Sequence, residues 1–255
     1  MKLFYRTIGS GPPLIILHGL FGSSDNWMSV SKLFGVHYQV YLLDARNHGQ
    51  SPHDEVHTYS SMADDLEEFI FKNALDSLYI IGHSMGGKTV MEYLTSKKNT
   101  VSKAVIVDIS PRAYEPHHHR EIQALKSINL AELSSRQEAD DIMARIIPEL
   151  GVRQFLLKNL YRNEDGSFHW RMNLDGIIYQ INEIGKSTPK SSISDADILF
   201  LKGSKSDYYI RPEDEVLIKK IFPKSKIKII ENSGHWIQAE QPQAFFETVF
   251  SFFTK

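Results

Sequence analysis

A serine lies between two glycines in the segment Gly82-His83-Ser84-Met85-Gly86, each glycine two residues away from it. An apolar run at 78–81 precedes the segment and a helical pattern at 85–96 follows it, which predicts a sharp turn from a strand into a helix. Glycines at such a turn remove the Cβ atoms that would clash where the backbone segments approach. The pattern predicts that the Ser84 hydroxyl attacks a carbonyl carbon. The weaker interpretation is that the glycine-rich N-terminus of the helix binds an anion.

His235 is the histidine that the sequence places best to act as general base for Ser84. It follows an apolar run at 227–230 and precedes a helical pattern at 242–252, so we expect it in a loop at the sheet edge that carries Ser84. Its position after the serine fits the chain order that accompanies this type of turn. His83 also neighbours the serine, but adjacent side chains diverge at a tight turn, so we expect His83 to pack beneath it.

The segment Leu17-His18-Gly19-Leu20-Phe21-Gly22 follows another apolar run and resembles the loop that donates one backbone N–H group to an oxyanion. We expect the backbone N–H of Leu20 to be this donor and that of Met85, directly after the serine, to be the second. Two such donors stabilise the negative charge that develops on a carbonyl oxygen during acyl transfer. Loss of one typically costs roughly 3 kcal/mol.

A carboxylate is needed to orient His235 and to stabilise its imidazolium, and two aspartates are candidates. Asp108 follows the apolar run at 104–107, and Asp207 lies in the loop after the run at 198–201. The loop of Asp207 is the usual position for the acid in this arrangement, and the position of Asp108 is the less usual one. The residues alone leave both open.

The elements that position these residues are expected to alternate between strands and helices. Six short apolar runs predict strands at 14–17, 40–43, 78–81, 104–107, 198–201 and 227–230. Their nearly continuous apolar character is typical of parallel strands that helices cover on both faces. Helical patterns at 61–72, 85–96, 212–221 and 242–252 complete an α/β pattern with a doubly wound sheet, and residues 3–8 fit an antiparallel first strand.

About 90 residues separate the strand at 104–107 from the next one, which is too long for an ordinary connection. Amphipathic patterns at 120–128, 136–147 and 152–160 predict a helical cap over the carboxyl ends of the strands, where such sheets bind ligands. We therefore predict a core domain formed by residues 1–111 and 195–255 and an inserted cap formed by residues 112–194.

Five sequence blocks together resemble the YbfF-like esterases, over nearly the whole chain. The blocks are Leu17-His18-Gly19-Leu20-Phe21-Gly22-Ser23, Asp44-Ala45-Arg46-Asn47-His48-Gly49, Gly82-His83-Ser84-Met85-Gly86-Gly87-Lys88, Val107-Asp108-Ile109-Ser110-Pro111 and Gly234-His235-Trp236. The resemblance implies an α/β-hydrolase fold and a carboxylesterase, with acyl-CoA thioesters as further candidate substrates. It also implies that Asp108 is the acid, although this chain departs from the subgroup by having Asp207 as well.

Other functions remain as alternatives. A cofactor-free haloperoxidase or perhydrolase, or a carbon–carbon bond hydrolase, would use the same serine, histidine and acid. A non-catalytic protein that binds a small ligand would share the fold. A dehalogenase or an epoxide hydrolase would instead need aspartate at position 84. The ester chemistry itself needs no metal or organic cofactor.

Three aromatic residues near these motifs are candidates for substrate contact: Phe21, Trp170 and Trp236. Buried aromatic residues more often build the core, so this is the weaker part of the predicted site. The polar loop at 44–48 is expected to form a hydrogen-bond network that supports its neighbours. The triple histidine at 117–119 is expected to lead into the cap rather than to bind a metal, because adjacent side chains on an extended segment point to opposite faces.

Composition narrows the class of partner. The formal net charge of −2 and a pI of about 6.6 provide no basic surface for nucleic acid, so a small-molecule ester or thioester is the expected partner. The sequence contains no apolar run of the ~18 residues that a membrane span needs. The absence of cysteine and of a signal-peptide pattern predicts a soluble, cytoplasmic protein. The oligomeric state is left open.

Overall fold

The structure is a computed structural model that describes residues 1–98, 100–187 and 193–255. Within these residues the strands are β1 Tyr5–Ile8, β2 Pro13–Leu17, β3 Gln39–Leu43, β4 Leu78–His83, β5 Val101–Val107, β6 Leu160–Arg162, β7 Phe168–Trp170, β8 Asp197–Gly203 and β9 Lys226–Ile230. All six apolar runs that predicted strands form strands of the main sheet.

The main sheet has seven strands in the order β1-β3-β2-β4-β5-β8-β9. β1 pairs antiparallel with β3, as predicted for the first strand, and the remaining pairs are parallel. β4 and β5 lie in the middle, so the loops that follow them meet at the carboxyl edge of the sheet. This mostly parallel sheet with helices on both faces confirms the predicted fold class.

Eleven helices are formed by the described residues. They are α1 Met28–Phe34, α2 Tyr59–Lys72, α3 Met85–Ser96, α4 His119–Lys126, α5 Arg136–Ala144, α6 Leu150–Leu157, α7 Leu174–Tyr179, α8 Ile181–Ile184, α9 Asp214–Ile221, α10 Ile237–Glu240 and α11 Pro242–Phe253. A short 3-10 helix, Ser24–Asn26, precedes α1. The seven helices predicted from the sequence all form, with ends that shift by up to three residues. The sequence patterns did not reveal α1, α7, α8 and α10, of which the last three span at most six residues.

Local sequence explains several helix starts. Thr58 precedes α2 and caps its first turn, because its side chain accepts a hydrogen bond from the backbone N–H of Ser61, at 3.2 Å. Pro242 lies in the first turn of α11, where its missing N–H group has no partner to lose. Pro212 lies just before α9 rather than in its first turn, since that helix begins at Asp214.

Each central strand is buried on both faces, which explains the continuous apolar runs. One face carries Ile15, Ile80 and Ile106, which pack with buried residues of α2, α3 and α9. The opposite face carries Ile16 and Ile81, among others, and packs with residues of α1 and α11. Burial of apolar surface on both faces fixes the sheet between two helical layers.

Between β5 and β8 the chain forms α4 to α8 and a small antiparallel hairpin of β6 and β7. Buried side chains of these elements form a cluster of their own, which also includes Leu20, Phe21 and Met85 from the sheet edge. The hairpin was not expected, because a three-residue strand has too short a pattern to be recognised. The division into a core of residues 1–111 and 195–255 and a cap of residues 112–194 stays a prediction, and residues 188–192 of that cap lie outside the described residues.

Among the described residues, no helix combines the length and the apolar character that crossing a bilayer requires.

Candidate active site

Ser84 lies at the turn between β4 and α3, with φ 52° and ψ −116°. A positive φ is unfavourable for a residue with a Cβ atom, so the surrounding contacts must hold this conformation. A Cβ atom on Gly82 would lie 2.5 Å from the carbonyl oxygen of Gly86, and one on Gly86 would lie 2.6 Å from that of Leu17. Both glycines are therefore required by the close approach of the backbone.

His235 and Asp108 form a direct contact. Nδ1 of His235 lies 2.7 Å from Oδ2 of Asp108. His235 lies in the loop after β9, and Asp108 lies in the loop after β5. Asp108 is fully buried and also accepts hydrogen bonds from the Ser206 hydroxyl at 2.5 Å and from the Gly203 backbone N–H at 3.3 Å. Ser84 and His235 line the same cleft. The structure thus brings three of the predicted site residues together.

Asp207 lies elsewhere. Its side chain is 88% exposed, and Oδ1 is 3.3 Å from Nζ of Lys202. Its neighbour Ser206, rather than Asp207 itself, reaches the carboxylate that contacts His235. The structure therefore does not bring Asp207 to His235.

Burial sets the charge state of this pair. Burial raises the pKa of Asp108 to about 7, while the hydrogen bonds from Ser206 and Gly203 oppose the shift. Burial also lowers the pKa of His235 below its usual range. An uncharged His235 beside a carboxylate has a free nitrogen that accepts a proton.

His83 packs against the loop of the predicted base. Its Nε2 lies 2.9 Å from the backbone oxygen of His235, and the two rings are 4.6 Å apart between centroids. Because a carbonyl oxygen only accepts, Nε2 of His83 carries the proton in this bond. Burial lowers the pKa of His83 to about 3, so the ring is neutral. His83 therefore fixes the His235 loop to the turn that carries Ser84.

Of the two predicted oxyanion donors, Leu20 lines the cleft together with Ser84, and Met85 directly follows the serine in the chain. Met85 is the first residue of α3, where backbone N–H groups have no partner within the helix. Leu20 lies between β2 and the 3-10 helix, and its neighbour Phe21 has a φ of 58°. No hydrogen bond within the described residues uses the backbone N–H of Leu20 or of Met85. Both groups therefore have free hydrogen-bonding capacity for a ligand.

The loop that carries Leu20 and Phe21 is supported by buried histidines. The backbone N–H of Phe21 donates to Nε2 of His48 at 3.2 Å, and that of Ala45 donates to Nε2 of His18 at 3.0 Å. The carboxylate of Asp44 accepts from the backbone N–H of Ser24 at 2.6 Å. The polar loop at 44–48 thus forms the network that its sequence suggested, and this network shapes the predicted oxyanion loop.

A cleft of about 130 Å³ opens at Ser84. Two of the three aromatic residues predicted to contact substrate, Phe21 and Trp236, line it. The third, Trp170, lies in the β6–β7 hairpin and packs against the apolar cluster of the cap. Among the described residues, Trp170 is not part of the cleft wall, so the cleft lends its predicted role no support.

Three polar residues of the cleft wall were not recognised from the sequence: His117, His118 and Glu121. The triple histidine does lead into α4, as expected, and two of its members face the cleft. Nδ1 of His118 is buried and has no hydrogen-bond partner among the described residues. Histidine and glutamate are common on protein surfaces, so their presence in the sequence does not indicate a place in the cleft wall. Only the packing of the segment between β5 and β8 brings them there.

A second space, of about 270 Å³, adjoins the cleft. The two spaces share four wall residues: Gly19, His83, Phe155 and Trp236. The rings of Phe155 and Trp236 are 5.4 Å apart between centroids and form much of the shared wall.

The segment from Gly82 to Thr89 also matches the G-x-x-x-x-G-K-[ST] pattern of phosphate-binding loops. In the structure, the Lys88 ammonium instead donates to the backbone oxygens of Arg112, at 2.7 Å, and of Lys186. The Thr89 hydroxyl donates to the backbone oxygen of Met85 at 3.0 Å. Neither side chain is available to a phosphate, so the match to that pattern is accidental.

Lys88, in the helix that follows Ser84, contacts the chain both before α4 and after α8. Arg112 and Lys186 lie near the two ends of the inserted segment, and the ammonium also lies 4.8 Å from the ring centroid of Tyr114. Lys88 is only 1% exposed, and burial lowers its pKa to about 7. A buried lysine of this kind makes folding stability depend on pH.

We expect the free energy of unfolding to rise between pH 7 and pH 9 more in the wild-type protein than in Lys88→Met. The unfolded chain binds the Lys88 proton more tightly than the folded protein in this range, so raising the pH favours folding. The difference between the two proteins should grow by roughly 2 kcal/mol, measured by urea denaturation at both pH values. Lys72→Met, which removes an exposed lysine, is the control. Equal pH slopes in wild type and Lys88→Met would contradict the prediction.

Comparison with known proteins gives consistent matches. The family model of the alpha/beta hydrolase fold matches residues 12–139. The sn-1-specific diacylglycerol lipase ABHD11 of Danio rerio is 37% identical over 252 residues, which cover 96% of this chain and 79% of the relative. Esterase YbfF of Escherichia coli K12 is 34% identical over 238 residues, covering 93% of this chain and 91% of the relative. A solved structure described as a marine microorganism esterase has 44% identity and a TM-score of 0.95, over 98% of this chain and 99% of the other.

Proposed function

This chain belongs to the alpha/beta hydrolase fold family, and we propose that it hydrolyses carboxylic esters with Ser84 as nucleophile, His235 as general base and Asp108 as the acid. The observation that carries the proposal is the 2.7 Å contact between His235 and the buried Asp108, in the cleft that Ser84 lines. Its relatives include proteins named as an esterase and a lipase. Both names describe cleavage of ester bonds.

The proposed reaction has two halves. In the first, Nε2 of His235 takes the proton of Ser84 as Oγ bonds to the carbonyl carbon, and the carbonyl electrons move to its oxygen. Collapse of this intermediate breaks the bond to the alcohol, which leaves with the proton from His235, and an acyl-enzyme remains. In the second half, His235 takes a proton from water as the water oxygen bonds to the acyl carbon. The bond between that carbon and Oγ of Ser84 then breaks, Ser84 regains the proton from His235, and the carboxylic acid leaves. Asp108 stabilises the imidazolium in both halves.

The backbone N–H groups of Leu20 and Met85 are the proposed donors to the oxyanion. Their support is that Leu20 lines the cleft of Ser84, that Met85 directly follows Ser84, and that neither backbone N–H has a partner among the described residues. Fixed donors in a site shielded from water stabilise the developing charge strongly, because they need no reorganisation during the reaction.

The walls of the cleft favour an apolar acyl group. Phe21, Phe155, Leu156 and Trp236 provide apolar surface close to Ser84. We propose that Phe21 and Trp236 contact the acyl chain. Oxygen esters are the primary proposed substrates, and acyl-CoA thioesters are a further class that passes through the same acyl-enzyme.

Hydrolysis of p-nitrophenyl esters with acyl chains of increasing length tests the proposal. We expect turnover of at least one ester, and reaction with a fluorophosphonate should add one adduct per chain, located by mass spectrometry on the peptide that contains Ser84. A thioester series in the same assay separates the two substrate classes. Ligand binding without turnover or labelling would contradict the proposal and favour a non-catalytic binding protein.

The pH dependence of kcat/KM should reflect the protonation of the buried pair, Asp108 and His235. The active form has an ionised Asp108 and a neutral His235, so uptake of one proton by the pair removes activity. Since burial raises the pKa of Asp108 to about 7, kcat/KM should fall as the pH decreases through about 7. The fall should be about tenfold per pH unit at lower pH, measured with a neutral ester.

The variant Ser206→Ala tests whether the ionisation of Asp108 causes the loss of kcat/KM at low pH. The Ser206 hydroxyl stabilises the ionised Asp108, so its removal should move the acid limb to higher pH. A limb at the same pH in both proteins would show that Asp108 does not control it.

A further inference from the structure

Tyr209 lies flat against the proposed base. Its ring and that of His235 are 4.0 Å apart between centroids, with an angle of 20° between their planes. Tyr209 is 9% exposed and lines the cleft together with Ser84 and His235. Because it lies in the loop after β8, it reaches His235 from a different loop than either His83 or Asp108 does.

Two polar contacts fix Tyr209 in this place. Its backbone oxygen accepts a hydrogen bond from the backbone N–H of Ser110, at 3.0 Å, two residues beyond Asp108. Its hydroxyl lies 2.9 Å from Nε2 of His117. Burial raises the pKa of Tyr209 well above its usual range, so the phenol keeps its proton, and the direction of its hydrogen bond with Nε2 of His117 depends on the tautomer of that histidine.

The same ring contacts the first segment of the cap. Tyr114 meets it edge-on, with 6.0 Å between the centroids and 84° between the planes. Tyr114 and His117 both precede α4, and the backbone N–H of Tyr114 donates to the backbone oxygen of Gly185, at 2.8 Å, after α8. Tyr209 therefore connects the imidazole of His235 with the place where the cap leaves the core and returns to it.

We infer that Tyr209 is a positioning residue, which holds the His235 imidazole in the orientation that faces Ser84 and ties that orientation to the cap through His117. The inference rests on the proposed function of Ser84, His235 and Asp108. The bond to Asp108 fixes one ring nitrogen of His235, but a single hydrogen bond leaves the ring free to tilt. A flat aromatic surface at van der Waals distance removes that freedom.

The test is the effect of Tyr209 variants on kcat and KM for a p-nitrophenyl ester. Tyr209→Leu should lower kcat by about tenfold to 100-fold and leave KM within about twofold, because misorientation of the base affects the chemical step. Tyr209→Phe keeps the flat ring and should recover kcat to within about threefold of wild type. Tyr161→Leu is the matched control, because Tyr161 is also a tyrosine with a hydrogen-bonded hydroxyl, to Asp25 at 2.9 Å, but it lies in the β6–β7 hairpin and outside the cleft wall that the described residues form. It should keep wild-type kcat.

The link to the cap has its own test. The loss of kcat in the double variant Tyr209→Phe/His117→Ala should be no larger than that in His117→Ala alone, because His117→Ala already removes the hydrogen bond that Tyr209→Phe removes. Additive losses would overturn the link through His117.

Fluorophosphonate labelling of Ser84 in the same samples separates the possible failures. A labelled wild type, together with a folded Tyr209→Leu whose kcat is unchanged or whose loss is in KM, overturns the inference alone. An unlabelled, inactive wild type overturns the proposed function and the inference with it. If thermal melting shows that Tyr209→Leu does not fold, Tyr209→Met replaces it, because methionine fills the space without a flat surface. The same fall in kcat is expected of this variant.

Discussion

Replacement of Ser84 by alanine is expected to lower kcat for ester hydrolysis by at least about 10⁴-fold. Without the Oγ atom no acyl-enzyme forms, and only the oxyanion donors and substrate binding remain to accelerate attack by water. The turn should survive the change, because alanine keeps the Cβ atom and the backbone bond from residue 84 to Val107. Stopped-flow measurement should show loss of both the burst and the steady-state turnover.

Ser31→Ala is the matched control for that experiment. Ser31 is another buried serine, but it lies in α1, where its hydroxyl donates to the backbone oxygen of Met28 at 3.1 Å. This variant should keep the burst and the turnover. Wild-type activity in Ser84→Ala would disprove a serine nucleophile. A wild type that lacks ester turnover and still needs Ser84 for perhydrolysis or for carbon–carbon cleavage would instead change the reaction and keep the nucleophile.

The sequence predicts the sheet well because burial on both faces leaves a local signal. Each central strand is a run of four or more apolar residues, and the segment around Ser84 has glycines that the turn requires for steric reasons. Both signals depend on neighbours in the chain. The β6–β7 hairpin and the short helices α7 and α8 lie between β5 and β8 and depend on contacts there, and they were missed.

The cleft shows the same limit at the level of single residues. Ser84 and His235 follow from local motifs, whereas Tyr209 and His117 meet only because loops 92 residues apart in sequence pack together. Trp170 had the right residue type for a substrate contact, but the hairpin holds it against the cap cluster. Residue type alone does not determine which aromatic side chains face a cavity.

The identity of the acid is undecided by sequence for a related reason. Asp108 and Asp207 follow β5 and β8, which are neighbours in the sheet, so both reach the same edge. What separates them is local. Asp108 has a φ of 50° and is fully buried beside His235, whereas Asp207 points outward to Lys202. The positive φ of Asp108 is a property of the folded loop, and no sequence pattern predicted it.

Asp108→Asn is therefore expected to lower kcat by about 10⁴-fold, and Asp207→Asn should keep kcat within about twofold of wild type. Asparagine preserves the volume at position 108, but its amide no longer holds the proton on Nδ1 of His235. The imidazole then favours the tautomer with its proton on Nε2, which cannot accept the proton of Ser84. At position 207 the carboxylate is exposed and screened by solvent, so its loss changes little.

The comparison of the two variants decides between the two acids under one assay. Both substitutions replace a carboxylate by an amide of nearly the same shape, so the chemical change is the same and only its position differs. A loss confined to Asp207→Asn would require the loop after β8 to rearrange on substrate binding and bring Asp207 to His235. A loss confined to Asp108→Asn, with labelling of Ser84 slowed to the same degree, would place the defect in the activation of the serine, because labelling requires that step and no later one.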